Sequence, residues 1–486
     1  MSIPSSEHED GKAKVSVEEF SKEDSLPAPG TPERVLAEKK LVRKLDSRVL
    51  PTIVLIFIMN YIDRNGITTA RLKGLEEDLG LSDHHGTLEV ASLLGGSLVT
   101  HSFGGLLACR IFIGLPEAAF YPGAIYLLSR WYTKKELAFR SAILYAGLLI
   151  SNAFGALMAA GILSGMEGKR GIRAWRWLFF IESNMKWTQM ASSRLRALLQ
   201  LKGSSDRRLS SYKQPNNTRW ITSEEKRLAQ ARLADDAGEA DQDGVGDSPM
   251  KGLKMAIMDI KVPILAVMTI SQLLGLSFVN FFPTLTATLG FNTTISLLLA
   301  APPWIVATIM CCLNAWHADR TGERFFHIAG WWWGVILGFI IALSTMNTAA
   351  RYIAMFFMAC GYVGFSMTLV WVSNILPRPP AKRAAAIGIV NGCGNIGNLI
   401  GAFTWKSDWG PGYHQSMIIS LAALAFSTAL ALVIRQMIIR DNRKLDEDEK
   451  AAMEGANRAR VEEAARLEGI TFEEAMARRR GFRYLY

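Results

Sequence analysis

Glu117 carries the sharpest chemical signal in this sequence, because it stands near the middle of a mostly apolar stretch from Gly104 to Trp131. An ionised carboxylate at that depth costs about 2.5 to 3.5 kcal/mol on insertion scales, so it must be protonated or paired. Proton exchange is one use of such a group, and a hydrogen bond between helices is the plainer one. Asp63 and Arg64 close another apolar run, Leu50 to Ile62, which Gly66 and Ile67 extend. A charged pair there costs little if it reaches the interface and much if it is held inside a helix bundle. The guanidinium fork of Arg64 suits a carboxylate, and snorkelling to the interface is the alternative.

Asn391, Asn395 and Asn398 are spaced i, i+4, i+7, which sets three amides on one helix face that would be costly toward lipid. They are expected to face a protein interior, as substrate hydrogen bonders or as glue between helices. Trp371, Ser373 and Asn374 could line the same space, with packing the competing role for Trp371. Gly392 to Gly397 matches the dinucleotide pattern G-x-G-x-x-G, but it lies in an apolar segment with no strand before it, so close helix packing is the better reading. His84, His85 and His101 lack acidic or cysteine partners at ligand spacing, and no metal site is expected. No nucleophile–base constellation or Walker lysine motif stands out, which argues against a membrane hydrolase or an ATP-driven pump, so the chain is not read as an enzyme.

Groups of this kind need membrane spans to position them. Half of the 486 residues are of the AVILMFWYC class and only 20% are charged, giving a mean hydropathy of +0.16. The net charge of +10 gathers in short loops between apolar stretches, where it sets topology and meets anionic lipid, so no nucleic-acid partner is expected. Candidate spans are Leu50–Ile62, Gly104–Trp131, Ser141–Leu163, Val262–Leu285, Thr293–Leu313, His327–Met346, Tyr352–Leu376, Ala384–Trp405 and Gln415–Met437. Basic clusters before the first span, and at every second connection of the last six, place both termini in the cytoplasm. The five cysteines fall within predicted spans with no paired spacing, and they read as packing residues. Trp331 to Trp333 suit an interfacial belt, and Asn292-Thr293-Thr294 is a glycosylation sequon in a predicted outside loop.

The expected organisation is a disordered tail over residues 1–40, an N-terminal bundle over 41–182, a cytoplasmic linker over 183–261, a six-helix bundle over 262–440 and a tail over 441–486. Two apolar bundles joined by a polar linker are a transporter architecture. In the first bundle the charges do not settle on one path, and one or more spans are missing there.

A family likeness runs through both bundles. Arg43-Lys44-Leu45-Asp46 leading to Asp63-Arg64-Asn65, then Gly74-Leu75-Glu76-Glu77-Asp78-Leu79 and Gly104-Gly105-Leu106-Leu107-Ala108-Cys109-Arg110, resembles the fungal allantoate permease family of major facilitator transporters. Gly114-Leu115-Pro116-Glu117-Ala118, Tyr121-Pro122-Gly123, Arg130-Trp131-Tyr132, Trp175-Arg176-Trp177 and Phe482-Arg483-Tyr484 continue it. The resemblance implies that Asp63 and Glu117 exchange protons while Arg64 holds the substrate anion; Asn391, Asn395, Trp371 and Asn374 are the residues whose type and spacing suit the substrate cavity, with helix packing as their alternative. The loop from Trp316 to Arg324 resembles the superfamily's cytoplasmic gate signature in its second-half copy, which makes Asp319, Arg320, Gly322 and Arg324 gating residues. A solvated, topology-setting loop is the alternative for that segment.

Two departures matter: the family's second helix and most of its third are missing between Leu81 and Ser97, and its sixth is replaced by polar sequence from Ser183 to Thr218. The resemblance therefore implies an all-α major facilitator bundle of two halves whose N-terminal half lacks one or more helices. It further implies a monomer in the fungal plasma membrane that takes up a small organic anion, such as nicotinate, pantothenate, allantoate or biotin, with protons. The proton gradient drives it and no cofactor is required. The alternative is a truncated paralogue that does not transport, a ligand sensor or a defective gene product.

Overall fold

Thr31 opens the first helix, its hydroxyl accepting the Arg34 amide at 3.4 Å with Pro32 in the first turn. The computed structural model describes residues 27, 30–70, 120–181, 221–237, 249–453 and 484, without the side chains of 63–65, 67, 68, 234, 237, 249, 407 and 448–453. Helix α1 (Pro32–Arg48) buries Arg34, Leu41 and Leu45, and α2 (Leu50–Ala70) follows after Val49. The expected tail therefore gives way to helix at Pro32. A cap, an Arg34–Glu38 pair at 2.9 Å and a buried leucine face stabilise a segment that charge alone marks as polar.

Helix α3 (Phe120–Ser129) is the described part of the span expected over Gly104–Trp131, and α4 (Lys134–Gly165) contains the one expected over Ser141–Leu163. The expected loss of helices near Leu81–Ser97 and Ser183–Thr218 falls outside the described residues. Residues 183–261 are expected to be linker, yet α5 (Ser223–Ala237) and α6 (Pro249–Met258) form within them. The reason for α5 is a reciprocal capping box: Glu225 N donates to Thr222 Oγ1 at 3.2 Å, and Thr222 N donates to Glu225 Oε2 at 3.0 Å.

The second half runs through α7 (Lys261–Gly275), α8 (Phe282–Ala287), α9 (Thr293–Thr321), α10 (Phe325–Ser344), α11 (Thr348–Ile375), α12 (Pro380–Thr404) and α13 (His414–Met453). Among the described residues eight helical stretches are long and apolar enough to cross a membrane, and six of them lie from Lys261 to Glu447. Helix α13 continues beyond residue 440, where a tail is expected. Lys261 pairs with Asp441 at 2.5 Å, and Asn442 exchanges two hydrogen bonds with the backbone of Tyr484, so partners on α7 and near the C-terminus hold the polar extension in place.

Helix α7 breaks after Gly275 and reaches α8 through a 3₁₀ turn, Ser277–Phe281. The carbonyl of Leu276 there accepts the Val279 amide at 3.3 Å and the Tyr362 hydroxyl at 2.8 Å, and Ser277 Oγ accepts Trp405 Nε1 at 3.1 Å. Irregular backbone at membrane depth is thus satisfied inside the protein. Helix α4 lies along α9 and α2, while α12 lies along α7 and α10 along α11. The α7–α12 contact is close enough that a Cβ at Gly397 would strike the Ile270 carbonyl oxygen and come within 2.8 Å of Leu274 N. Gly392, on another face of α12, would meet nothing within 4 Å. The glycine pattern is therefore a packing device, as expected, but only in part of its length.

Candidate functional site

At one end of the bundle the loop between α9 and α10 clasps the start of α4. Gly322, at φ 71, caps α9 with its amide on the Ala318 carbonyl at 3.0 Å, a left-handed turn that glycine adopts without strain. The turn returns Arg324 toward Asp319, and the two pair at 2.8 Å with Arg324 0% and Asp319 10% exposed. Both then reach across to α4. Asp319 Oδ2 accepts the Phe139 amide at 2.8 Å, and Arg324 donates to the Lys134 carbonyl at 3.0 Å. Burial lowers the affinity of Arg324 for its proton and Asp319 opposes that shift, so the guanidinium depends on this carboxylate. Asp319, Gly322 and Arg324 thus stand together as the gate signature predicts. Arg320 does not join them: it is exposed, and its guanidinium stacks over Trp316 at 4.3 Å, because one residue beyond Asp319 the helix points away from α4.

Charged contacts surround the clasp. Arg140 on α4 pairs with Asp46 on α1 at 3.0 Å, and the Tyr132 hydroxyl donates to the same carboxylate at 2.8 Å. Burial and this bond raise the Tyr132 phenol above its ordinary value. Helix α5 lies over α1 and the start of α4. Its Arg232 pairs with Glu136 at 2.5 Å and with Glu38 at 3.6 Å, its Glu225 meets Lys44 at 2.7 Å, and Asp236 Oδ2 accepts the Lys134 amide at 2.8 Å. Sequence reading missed α5 as part of the site. The signal available was Thr222 followed three residues later by Glu225.

Deeper in the bundle, aromatic rings from both halves meet. Tyr145 on α4 stacks with Tyr362 on α11 at 6.5 Å between centroids and tilts against Phe365 at 5.5 Å, while Tyr121 on α3 stacks with Phe57 on α2 at 5.3 Å. Trp304 on α9 meets Tyr362 edge-on at 5.7 Å. Tyr121 Oη and Gln272 Nε2 are buried without a hydrogen-bond partner among the described residues, although Gln272 Oε1 accepts the Thr368 hydroxyl at 3.2 Å. Donors left unpaired in an apolar interior are what a bound polar molecule would satisfy. Phenols and an amide inside apolar spans were the sequence signal for these residues, and it went unread.

The remaining expected site residues divide. Asp63 and Arg64 sit on α2, but their side chains lie outside the description, and Glu117 lies outside the described residues altogether. Trp371 is fully buried on α11, and Asn374, one turn on, is 1% exposed and lines a cavity at the clasp end with Lys134, Asp236 and Arg383. On the asparagine face of α12, Asn395 is exposed, its Nδ2 donates to the Asn391 carbonyl at 2.9 Å, and it accepts Asn398 Nδ2 at 3.3 Å. Gly394 and Gly397 take the side of α12 that packs on α7.

Comparison with known proteins places the chain in a family. A family model described as Major Facilitator Superfamily matches residues 86–185 and 212–402. An MFS-type transporter of Penicillium expansum is 29% identical over 450 residues, which cover 84% of this chain and 85% of its own length. A protein of Agrobacterium vitis, provisionally named a tartrate transporter, is 25% identical over 82% of this chain and 92% of itself. The crystal structure of a bacterial homologue of the human lysosomal transporter Spinster, inward-facing and occupied, aligns with 81% of the chain at 15% identity and a TM-score of 0.48. With the family model matching more than half of a chain rich in apolar, membrane-length helices, this protein belongs to the major facilitator superfamily and is an integral membrane transporter.

Proposed function

We propose that the protein carries a small organic anion inward together with protons, across the plasma membrane and by alternating access. The observation that carries this reading is the pairing of an inter-half clasp at one end, Asp319 and Arg324 on α4, with an aromatic interior in which Tyr121 Oη and Gln272 Nε2 lack partners among the described residues. A clasp that closes one end while a binding space lies between the halves is what alternating access requires. In this reading Arg64 holds the anion, Asp63 and Glu117 exchange protons, and Tyr121 and Gln272 add hydrogen bonds. The end bearing the clasp faces the cytoplasm, as the basic loops there favour. The relative provisionally named for tartrate supports a carboxylate substrate. A truncated, non-transporting paralogue or sensor is the less favoured reading, since the Penicillium relative aligns over 85% of its own length.

The test is uptake of labelled nicotinate, pantothenate, allantoate and biotin by cells expressing the wild type and Glu117→Gln. One acid of the set is expected to accumulate in wild-type cells, with uptake falling at least about tenfold in the variant, a loss of about 1.4 kcal/mol in coupling. Unchanged, pH-dependent uptake by the variant removes Glu117 from the mechanism.

A further inference from the structure

Asp236 occupies an unusual seat. It projects from α5 into a cavity of about 20 Å³ between the halves, with Lys134 and Ser129 on the first-half side and Ser373, Asn374 and Arg383 on the second. Its Oδ2 takes the Lys134 amide at 2.8 Å, in the first turn of α4, where N–H groups have no carbonyl of their own helix to bond. Across the cavity Asn374 is 1% exposed, and its Nδ2 has no hydrogen-bond partner among the described residues. Arg383 is 6% exposed. A helix N-terminus, an ammonium, a guanidinium and an unfilled amide donor converge on one small space, and the anion in it belongs to the chain itself. Asn374 Nδ2 is the donor that the aspartate leaves unused.

We propose that this cavity is the exit-side seat for the carboxylate of the transported anion, and that Asp236 is a built-in carboxylate that fills it and holds α5 in place while the seat is empty of substrate. The proposal rests on the reading of the protein as an organic-anion carrier. A leaving anion competes with Asp236, lifts α5 off Lys44 and Glu136, and so loosens the contacts beside the clasp; when it departs, Asp236 returns.

The experiment follows thermal unfolding of the purified full chain in detergent during titration with sodium acetate, against sodium chloride at equal ionic strength. Asp236→Asn vacates the charge, and Glu225→Gln loosens α5 from Lys44 while leaving every cavity residue intact. Both variants are expected to be stabilised by acetate with a midpoint at least about tenfold below the wild type's. Adding Asn374→Leu to Asp236→Asn abolishes the gain. Equal acetate responses in wild type and both variants, equal responses to chloride and acetate, or a gain that survives Asn374→Leu each overturn the proposal. Acetate binding without uptake of any acid would instead count against the carrier reading and leave this seat standing.

Discussion

Asp319 shows how much one side chain does at the clasp, since its two oxygens divide between Arg324 and the Phe139 amide. Asp319→Asn leaves a fully buried guanidinium without its counter-charge, and breaking one partner of a buried pair costs about 3 to 5 kcal/mol. Thermal unfolding of the purified variant should show a loss of that size, whereas Arg320→Ala, which removes only an exposed stack on Trp316, should change stability by less than about 1 kcal/mol. Comparable losses in both variants would mean that the clasp is not where the energy lies. The likeness of the Trp316–Arg324 loop to a gate signature singled out Asp319, Gly322 and Arg324, and a capped turn of fixed length is what returns one charge to the other. The same likeness could not exclude Arg320. Which way a helix end points depends on the neighbour it meets, here α4, and that neighbour is far away in sequence.

Helices were legible where apolar runs have membrane length, from Val262 to Met437, and less so where capping and ion pairs stabilise polar segments such as α1 and α5. Faces were harder to read. The asparagine series on α12 has the spacing of one stripe, but it is Gly394 and Gly397 beside it that take the contact with α7. Two glycine substitutions on that helix separate packing from composition. Gly397→Ala drives a methyl group into the backbone of α7 and should cost about 1 to 3 kcal/mol, while Gly392→Ala should be neutral or slightly stabilising. Denaturation midpoints that shift equally would contradict the packing described. Acid acts on the joint between α6 and α7. Burial would raise the Asp259 carboxyl, but Lys382 at 2.7 Å and the Lys261 amide outweigh it and hold it low. Its stabilisation is therefore present above the ordinary aspartate value of about 3.9 and is lost as the pH falls through the lowered one. Lys382→Met should reduce that acid-dependent part, worth about 1 kcal/mol or less, in a pH series of melting temperatures, with the Lys261 amide retaining the remainder.

For the whole molecule, composition and the distribution of charge fixed a membrane bundle before any contact was known, and the order of motifs along the chain placed it in its superfamily. Two features stayed hidden because each depends on contacts between distant segments: the aromatic interior shared by Tyr121, Tyr145 and Tyr362, and the strap that α5 lays across α1 and α4. The account as a whole claims that these parts serve a carrier in which proton and anion move together. Its most direct test is purified protein in sealed liposomes with an imposed pH gradient, acid outside, and labelled carboxylates outside in turn. The account predicts that one acid accumulates above its outside concentration and that a protonophore collapses the accumulation. Entry that stops at equal concentrations inside and out whatever the gradient, or no entry of any acid, would contradict it.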